Sequence, residues 1–327
     1  MASTGVRAAG RAMTSREKFL FDLNGFIVVR NALSLDEVDA MNAAIDRNMS
    51  KARPREIPAL KNAAKGSALS APGSRIDLGG MLGWPSPDGD MFRRLLCHRA
   101  LTPYLTELVG EGYRLDHQPM ALIQERGSEG FALHGGPLSG HDGVPEGRFN
   151  PELQYRCHNG TIWNSLLAMT VFLCDAKAGE GGFCALRGSH KLNYAMYTEM
   201  TNGDDPAFMD HIYQPPVNKG DVIFFSEATV HGSMPWKGEH QRRLALYRFA
   251  PANFAYGRAY LNQWAAHDAD VLGKCTEAQR AVLGPPHAVR LERPTVTAEG
   301  EDGPVNVYKR PTAKKDHDVA VFGSSYF

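Results

Sequence analysis

Apolar positions follow two different periods along the chain. Behind Ser34, apolar residues recur at helical spacing over residues 38–45, and Glu37 completes a capping box with Ser34. Just before this helix, an Asn-Gly turn at residues 24–25 leads into the β-branched run of residues 26–29, which predicts a strand. The N-terminal part of the chain is therefore predicted to form a helix, a short strand and a capped helix.

Short apolar runs separated by glycine turns dominate from residue 113 onward. Residues 165–174 are almost entirely apolar, as expected of a strand that is buried on both faces. Residues 91–109 predict a helix that is broken at Pro103. Further strands are predicted at residues 113–124, 183–186, 222–225, 229–233 and 244–250. Short strands joined by turns are typical of a sandwich or barrel, so we expect a mainly β fold with flanking helices.

The remaining segments are polar and rich in proline and glycine. Residues 51–90 predict a long surface loop, and part of it is expected to cover the active site because such loops are uncommon unless functional. We expect a flexible N-terminal segment over residues 1–18 and a single domain over residues 19–292. Residues 293–327 are expected to form a C-terminal tail that wraps around the domain or is disordered.

Composition and charge argue against several classes of protein. Lys+Arg and Asp+Glu both number 36, so no global field attracts nucleic acid, and no apolar run is long enough to span a bilayer. The five cysteines lack CxxC spacing, which argues against a disulfide framework or a zinc ribbon and fits a reducing compartment. We expect a cytoplasmic protein, and leave open both its oligomeric state and organelle targeting by the arginine-bearing residues 1–18.

Two histidines that lie far apart in the sequence predict a metal site. His134 ends the apolar run of residues 131–133 and is followed by two glycines, and His231 also lies between strand-like residues and a glycine. A mononuclear iron site needs neutral imidazoles on one face of an octahedron, usually with one carboxylate, and leaves the opposite positions open. The pair His134 and His231 is therefore the candidate set of iron ligands.

An arginine on a later strand predicts an anion beside this metal. Arg242 opens the predicted strand of residues 242–248, where alternation places it on one face with Leu244, Leu246 and Arg248. A guanidinium that points into an apolar interior needs an anionic partner. Its fork suits a dicarboxylate such as 2-oxoglutarate, held through two parallel hydrogen bonds.

The motifs around these residues resemble those of the phytanoyl-CoA dioxygenase family, in order and in approximate spacing. The resemblance covers about residues 19–250. The motifs are Met169-Thr170, Gly179-Glu-Gly-Gly182, Gly188-Ser-His-Lys191, Lys219-Gly-Asp-Val222 and His231-Gly-Ser233. The chain departs from the family at Arg187, where a proline usually precedes the Gly-Ser-His sequence.

The resemblance implies a double-stranded β-helix (jelly roll) enzyme that uses Fe(II), 2-oxoglutarate and O2 on a small-molecule substrate. By the same resemblance, His134 and His231 are the iron ligands. Arg242 would grip the distal carboxylate of 2-oxoglutarate with help from Ser233, and Thr170 would lie beside this cosubstrate.

Gly136 is a further departure, because the family carries aspartate or glutamate two residues after the first histidine. The vacant position suits chloride or bromide, and the iron/2-oxoglutarate radical halogenases have glycine or alanine there. We therefore predict a halogenase, with Gly136 marking the open halide position. Two alternatives stay open. One is a hydroxylase or other oxidative enzyme that uses two histidines or recruits an acid such as Asp142 or Glu146. The other is a non-catalytic homologue that binds 2-oxoglutarate and metal.

Five further residues are candidates for contacts with substrate or halide, each with a structural role as the alternative. They are His158, Asn159, Trp163, Asn164 and Arg248. His190 is expected to hydrogen-bond within its own turn.

Overall fold

The computed structural model describes residues 12–55, 62–138, 149–150, 152–256, 269–286 and 293–324. Its helices are α1 (Ser15–Asn24), α2 (Leu35–Asn48), α3 (Asp90–Arg94), α4 (Thr102–Val109), α5 (Thr198–Thr201), α6 (Pro206–Met209), α7 (Ala269–Gly273), α8 (Glu277–Val282) and α9 (Thr312–Phe322). Short 3-10 turns lie at Met49–Lys51, Ser189–Lys191 and Gly300–Asp302. Within the described ranges, no helix is both long and apolar enough to span a bilayer.

The strands are β1 (Phe26–Val29), β2 (Arg53–Pro54), β3 (Ile76–Gly79), β4 (Arg114–Gln124), β5 (Phe131–His134), β6 (Tyr155–His158), β7 (Thr161–Asn164), β8 (Leu167–Phe172), β9 (Gly182–Leu186), β10 (Ile212–Tyr213), β11 (Val222–Ser226), β12 (His231–Met234), β13 (Arg242–Ala250), β14 (Pro294–Val296) and β15 (Val305–Val307). Eleven of these strands form two antiparallel sheets. The larger sheet has the order β1-β11-β8-β13-β4-β3-β2, and the smaller has the order β10-β9-β12-β5. The remaining four strands form the separate pairs β6-β7 and β14-β15.

The N-terminal elements follow the sequence prediction. The Ser34 side chain accepts a hydrogen bond from the Glu37 amide, and the Glu37 carboxylate accepts one from the Ser34 amide. The capping box of α2 is therefore present. Gly25 ends α1 with φ +79°, and a Cβ there would lie 2.3 Å from Thr229 Oγ1. Glycine is therefore required for β1 to pass from α1 onto the edge of the larger sheet.

The centre of the larger sheet forms the core. Every residue of β8 is buried between β11 and β13, as its continuous apolar run predicts. On β13 the side chains alternate, and Arg242, Leu244, Leu246 and Arg248 all face the space between the two sheets. The predicted shared face of these four residues is confirmed.

Three segments differ from their prediction in detail. Residues 51–90 include β2 and β3, which extend the larger sheet beside β4, so the segment is more than a loop. Pro103 lies in the first turn of α4 and begins that helix, because proline needs no hydrogen-bonded amide there. The described residues from 293 onward form β14, β15 and α9, with Thr295 and Val296 buried, so this segment has more regular structure than a polar tail.

Candidate metal centre and its cavity

The two predicted ligand histidines face each other across one strand pair. His134 ends β5 and His231 begins β12, and the two residues are direct partners in the antiparallel register. Both are buried, and their ring centroids are 4.2 Å apart. Backbone pairing in the smaller sheet thus brings together two imidazoles that are remote in sequence.

Each imidazole is oriented by a backbone carbonyl two residues before it. His134 Nδ1 lies 2.8 Å from the carbonyl oxygen of Ala132, and His231 Nδ1 lies 2.7 Å from that of Thr229. A carbonyl only accepts, so Nδ1 carries the proton in both hydrogen bonds. Nε2 then holds the lone pair that a metal needs, which is the arrangement that outer hydrogen bonds impose on metal-binding histidines.

A glutamate that sequence reasoning missed completes a three-residue cluster. Glu227, on the turn before β12, has a carboxylate oxygen that lies with ligand atoms of His134 and His231 within 4.8 Å of one another. Its Oε2 is 3.7 Å from His231 Nε2, and its Oε1 accepts a hydrogen bond from Arg248 Nε at 2.5 Å. Burial opposes ionisation, but Arg248 and His231 outweigh it and lower the pKa of Glu227 to about 2.

The two glycines after His134 lie against the turn that carries Glu227. The Gly136 amide donates to the Ala228 carbonyl at 2.8 Å, and a Cβ on Gly135 would lie 2.3 Å from the Thr229 carbonyl oxygen. Both glycines have positive φ, +103° and +93°. A Cβ on Gly136 would meet only Val230 Cγ2 at 3.7 Å and the Leu138 carbonyl oxygen at 3.9 Å.

A cavity of about 420 Å³ opens between the two sheets beside this cluster. Much of its wall is apolar and aromatic. The polar residues on it include His134, Thr170, His231, Ser233, Arg242 and Arg248, which sequence analysis had proposed. Sequence reasoning had not singled out Arg55 and Arg75, which lie in the predicted covering segment and whose guanidinium groups pack on Phe131 with centroid distances of 5.1 and 4.7 Å.

Arg242 is a buried cation in the cavity wall, and the ion pairs of the described residues do not include it. Its Nη1 donates to Gln124 Oε1, whereas its Nε is buried and has no hydrogen-bond partner. Burial lowers the pKa of Arg242 to about 10, because the charged form has lost its water. A guanidinium held in this state is prepared to receive an anion.

Gly182, the last glycine of the predicted turn, gives Arg242 its position. A Cβ on Gly182 would lie 2.6 Å from Arg242 Nε, and the residue has φ +82°. We expect Gly182→Ala to displace the guanidinium and weaken 2-oxoglutarate binding about 10-fold, the effect of roughly 1.4 kcal/mol. Calorimetric titration of the Ni(II) form would measure this change. Gly179→Ala is the matched control because φ is +84° there but a Cβ meets nothing within 4 Å. Equal weakening by both variants would contradict the prediction.

The Gly188-Ser-His-Lys191 motif lies against the turn before β12. Ser189 Oγ accepts from the Val230 amide at 2.7 Å and donates to the Leu186 carbonyl at 2.6 Å, so the Gly-Ser-His-Lys motif fixes the residue beside His231. His190 is buried against Tyr155, which lowers its pKa to about 4, and its Nε2 contacts the Asp22 carbonyl. These residues position the centre and do not line the cavity.

The structure places four proposed contact residues away from the cavity. His158 and Asn159 are exposed on the β6-β7 hairpin. Trp163 packs under Arg156, and Asn164 donates to the Leu108 carbonyl at 2.8 Å. None of these four residues lines the cavity. The alternative acids Asp142 and Glu146 lie outside the described residues.

Sequence comparison finds a family to which part of the chain is similar. Residues 151–244, which include Glu227, His231 and Arg242 but not His134, match the family model "Phytanoyl-CoA dioxygenase (PhyH)". No curated protein sequence matches the chain.

Solved structures with a similar fold include proteins that bind 2-oxoglutarate or depend on it. HygX from Streptomyces hygroscopicus, solved with nickel and 2-oxoglutarate bound, superposes with a TM-score of 0.59 at 22% identity, over 76% of this chain and 91% of HygX. SnoK, a non-heme α-ketoglutarate-dependent carbocyclase from nogalamycin biosynthesis, has a TM-score of 0.53 at 16% identity, over 79% and 94%. The epimerase SnoN of the same pathway has a TM-score of 0.51 at 19% identity, over 75% and 85%. The fold is thus the jelly roll of the iron/2-oxoglutarate oxygenases, as predicted.

Proposed function

We propose that this protein is an Fe(II)- and 2-oxoglutarate-dependent enzyme that functionalises a C–H bond of a small-molecule substrate. One observation carries the proposal. Two buried imidazoles with Nε2 lone pairs and a buried arginine without an ionic partner among the described residues line the same cavity. The imidazoles suit a borderline metal such as iron, and the guanidinium suits the distal carboxylate of a keto acid.

The residues present fit both cofactors. His134 and His231 would hold Fe(II), and Arg242 would bind the far carboxylate of 2-oxoglutarate, with Ser233 and Thr170 beside it on the cavity wall. Bound together, Fe(II) and 2-oxoglutarate would activate O2 for cleavage of a C–H bond, with 2-oxoglutarate oxidatively decarboxylated to succinate and CO2. The protein itself holds the carboxylate, fixes the imidazole tautomers and excludes water from the reacting carbon.

The substrate would occupy the apolar part of the cavity. Met120, Leu122, Leu244 and Leu246 form a wall on which a carbon skeleton can pack, and Arg55, Arg75 and Arg248 offer polar contacts at other points of the lining. HygX has been solved with hygromycin B bound, and SnoK and SnoN belong to nogalamycin biosynthesis. These structures support a small-molecule substrate.

Halogenation is the second candidate, and Gly136 is the observation that favours it. Without an acid at this position, two histidines and bidentate 2-oxoglutarate would leave coordination positions of an octahedral ion open. A halide could then take one of the remaining positions. Oxygenation without halogen transfer is favoured instead if a carboxylate from another segment fills that position.

Anaerobic absorption spectroscopy tests the proposed function without requiring the substrate. Fe(II) chelated by 2-oxoglutarate gives a visible charge-transfer band, which we expect from the wild-type protein and not from His134→Ala or His231→Ala. Succinate formed after oxygen is admitted should fall by at least about 100-fold in both variants, because each removes a ligand. A wild-type protein that gives neither band nor succinate contradicts the proposal. Chloride or bromide should shift the band only if halide binds the iron.

A further inference from the structure

We propose that Glu227 supplies the carboxylate ligand of the metal, in place of the acid that is missing at Gly136. This inference rests on the proposed function, and concerns which residues of this chain complete its centre. Glu227 is the acidic member of the cluster with His134 and His231 in the part of the chain that the structure describes.

The backbone explains how an acid from another segment reaches this place. The turn that carries Glu227 lies directly on Gly135 and Gly136, through the hydrogen bond from the Gly136 amide to the Ala228 carbonyl. A Cβ on Gly135 would lie 2.3 Å from the Thr229 carbonyl oxygen and 3.0 Å from that of Glu227. Because Gly135 has no side chain, the turn can come close enough to set the Glu227 carboxylate beside the end of β5.

The orientation of the carboxylate leaves one oxygen for the metal. Arg248 Nε binds Oε1 at 2.5 Å, and Oε2 faces His231 Nε2 at 3.7 Å. With bonds of about 2.1 Å, neighbouring donors of an octahedral ion are about 3.0 Å apart and opposite donors about 4.2 Å. The ligand atoms of the three residues lie within 4.8 Å of one another, which is somewhat wider than these donor–donor distances. The distance of 3.7 Å between Glu227 Oε2 and His231 Nε2 falls between the two values.

The competing role for Glu227 is that of a counter-ion for Arg248 alone. That role requires the contact of Arg248 with Oε1, and it gives no reason for Oε2 to lie within 4 Å of an imidazole nitrogen. It also leaves the carboxylate outside the metal's coordination. Metal ligation predicts instead that the carboxylate binds the metal through Oε2. Arg248 is then a positioning residue that holds the other oxygen, Oε1.

A structure of the wild-type protein with Ni(II) decides between these roles without any variant. We expect a bond of about 2.1 Å between Ni(II) and a Glu227 carboxylate oxygen. A Glu227 carboxylate that stays beyond about 3 Å while both histidines bind Ni(II) overturns the inference and leaves the proposed function standing. Absence of Ni(II) at the two histidines overturns both.

Ni(II) calorimetry in the absence of 2-oxoglutarate adds a solution measurement. Glu227→Gln should raise the Kd by more than about 100-fold, above the 10- to 100-fold typical of groups outside the coordination sphere. Glu239→Gln is the matched control, because it removes one carboxylate that pairs with Arg126 on the surface, and its Kd should equal that of the wild type. A change of less than about 10-fold in Glu227→Gln would overturn the inference.

Discussion

Replacing Arg242 with methionine is expected to weaken 2-oxoglutarate binding by about 100-fold or more, since a charge-assisted hydrogen-bond pair to a carboxylate contributes roughly 3 kcal/mol. The ligand-free fold should not suffer in the same way. Arg242 is a buried cation outside the ion pairs of the described residues, and methionine removes its desolvation cost while keeping most of its apolar contacts. We therefore expect an unfolding temperature close to that of the wild type, because the removed desolvation cost offsets the loss of the donor to buried Gln124 Oε1.

Calorimetry of the Ni(II) protein with 2-oxoglutarate, together with thermal unfolding with and without the ligand, would measure both effects. Arg243→Met is the matched control. Arg243 follows on the same strand but points to the other side of the sheet, where it pairs with Asp46, so its loss should leave the Kd for 2-oxoglutarate unchanged. If Arg242→Met destabilises the ligand-free protein and binds 2-oxoglutarate normally, the arginine is structural and the proposed role is wrong.

Gly135→Ala is expected to have a large effect for the addition of a single methyl group. The new Cβ would lie 2.3 Å from the Thr229 carbonyl oxygen, and the residue has φ +103°. Strain and overpacking together should cost about 2–5 kcal/mol of unfolding free energy. Because relief of the clash pushes away the turn that carries Glu227 and leads into His231, Ni(II) affinity should fall as well.

Gly136→Ala is the comparison that isolates the contact. It has a similar backbone conformation, φ +93°, but its Cβ would approach nothing closer than 3.7 Å. We expect a loss of only about 1–2 kcal/mol from the unfavourable φ. Urea unfolding of the metal-free variants and Ni(II) titration would measure the difference. Similar losses in the two variants would show that the close approach of the turn is not what requires glycine at position 135.

The fold and half of the centre could be predicted because their signals are local. Short stretches of sequence predict the capping box of α2, the burial of β8 on both faces and the alternation of β13, and the structure has all three. Both histidines lie next to a glycine at the end of a strand, and Arg242 begins an inward face that continues with Leu244 and Leu246. Such patterns can be read from the sequence because backbone periodicity sets which side of the sheet a residue faces.

Glu227 could not be predicted because its position depends on contacts between distant segments. In the sequence it is one acid on a turn after a buried strand, which is where a solvent-exposed acid is ordinarily found. The signals that could have found it are its place four residues before His231 and the inward-facing Arg248, which needs a partner. His158 and Asn159 were proposed as cavity residues but are exposed on the β6-β7 hairpin. The sequence does not show whether polar residues next to an apolar strand face the cavity or the solvent.

The cross-strand pairing of His134 with His231 has a consequence for how such a centre can change. The distance between the two imidazoles is set by the hydrogen-bonded ladder of β5 and β12, whereas Glu227 belongs to a turn. The centre is thus divided into a half that the sheet makes rigid and a half that can be exchanged. An acid can be lost from one connection and regained from another without moving either histidine. On the proposed ligand set, the residue that completes the metal site can therefore change while His134 and His231 stay in register.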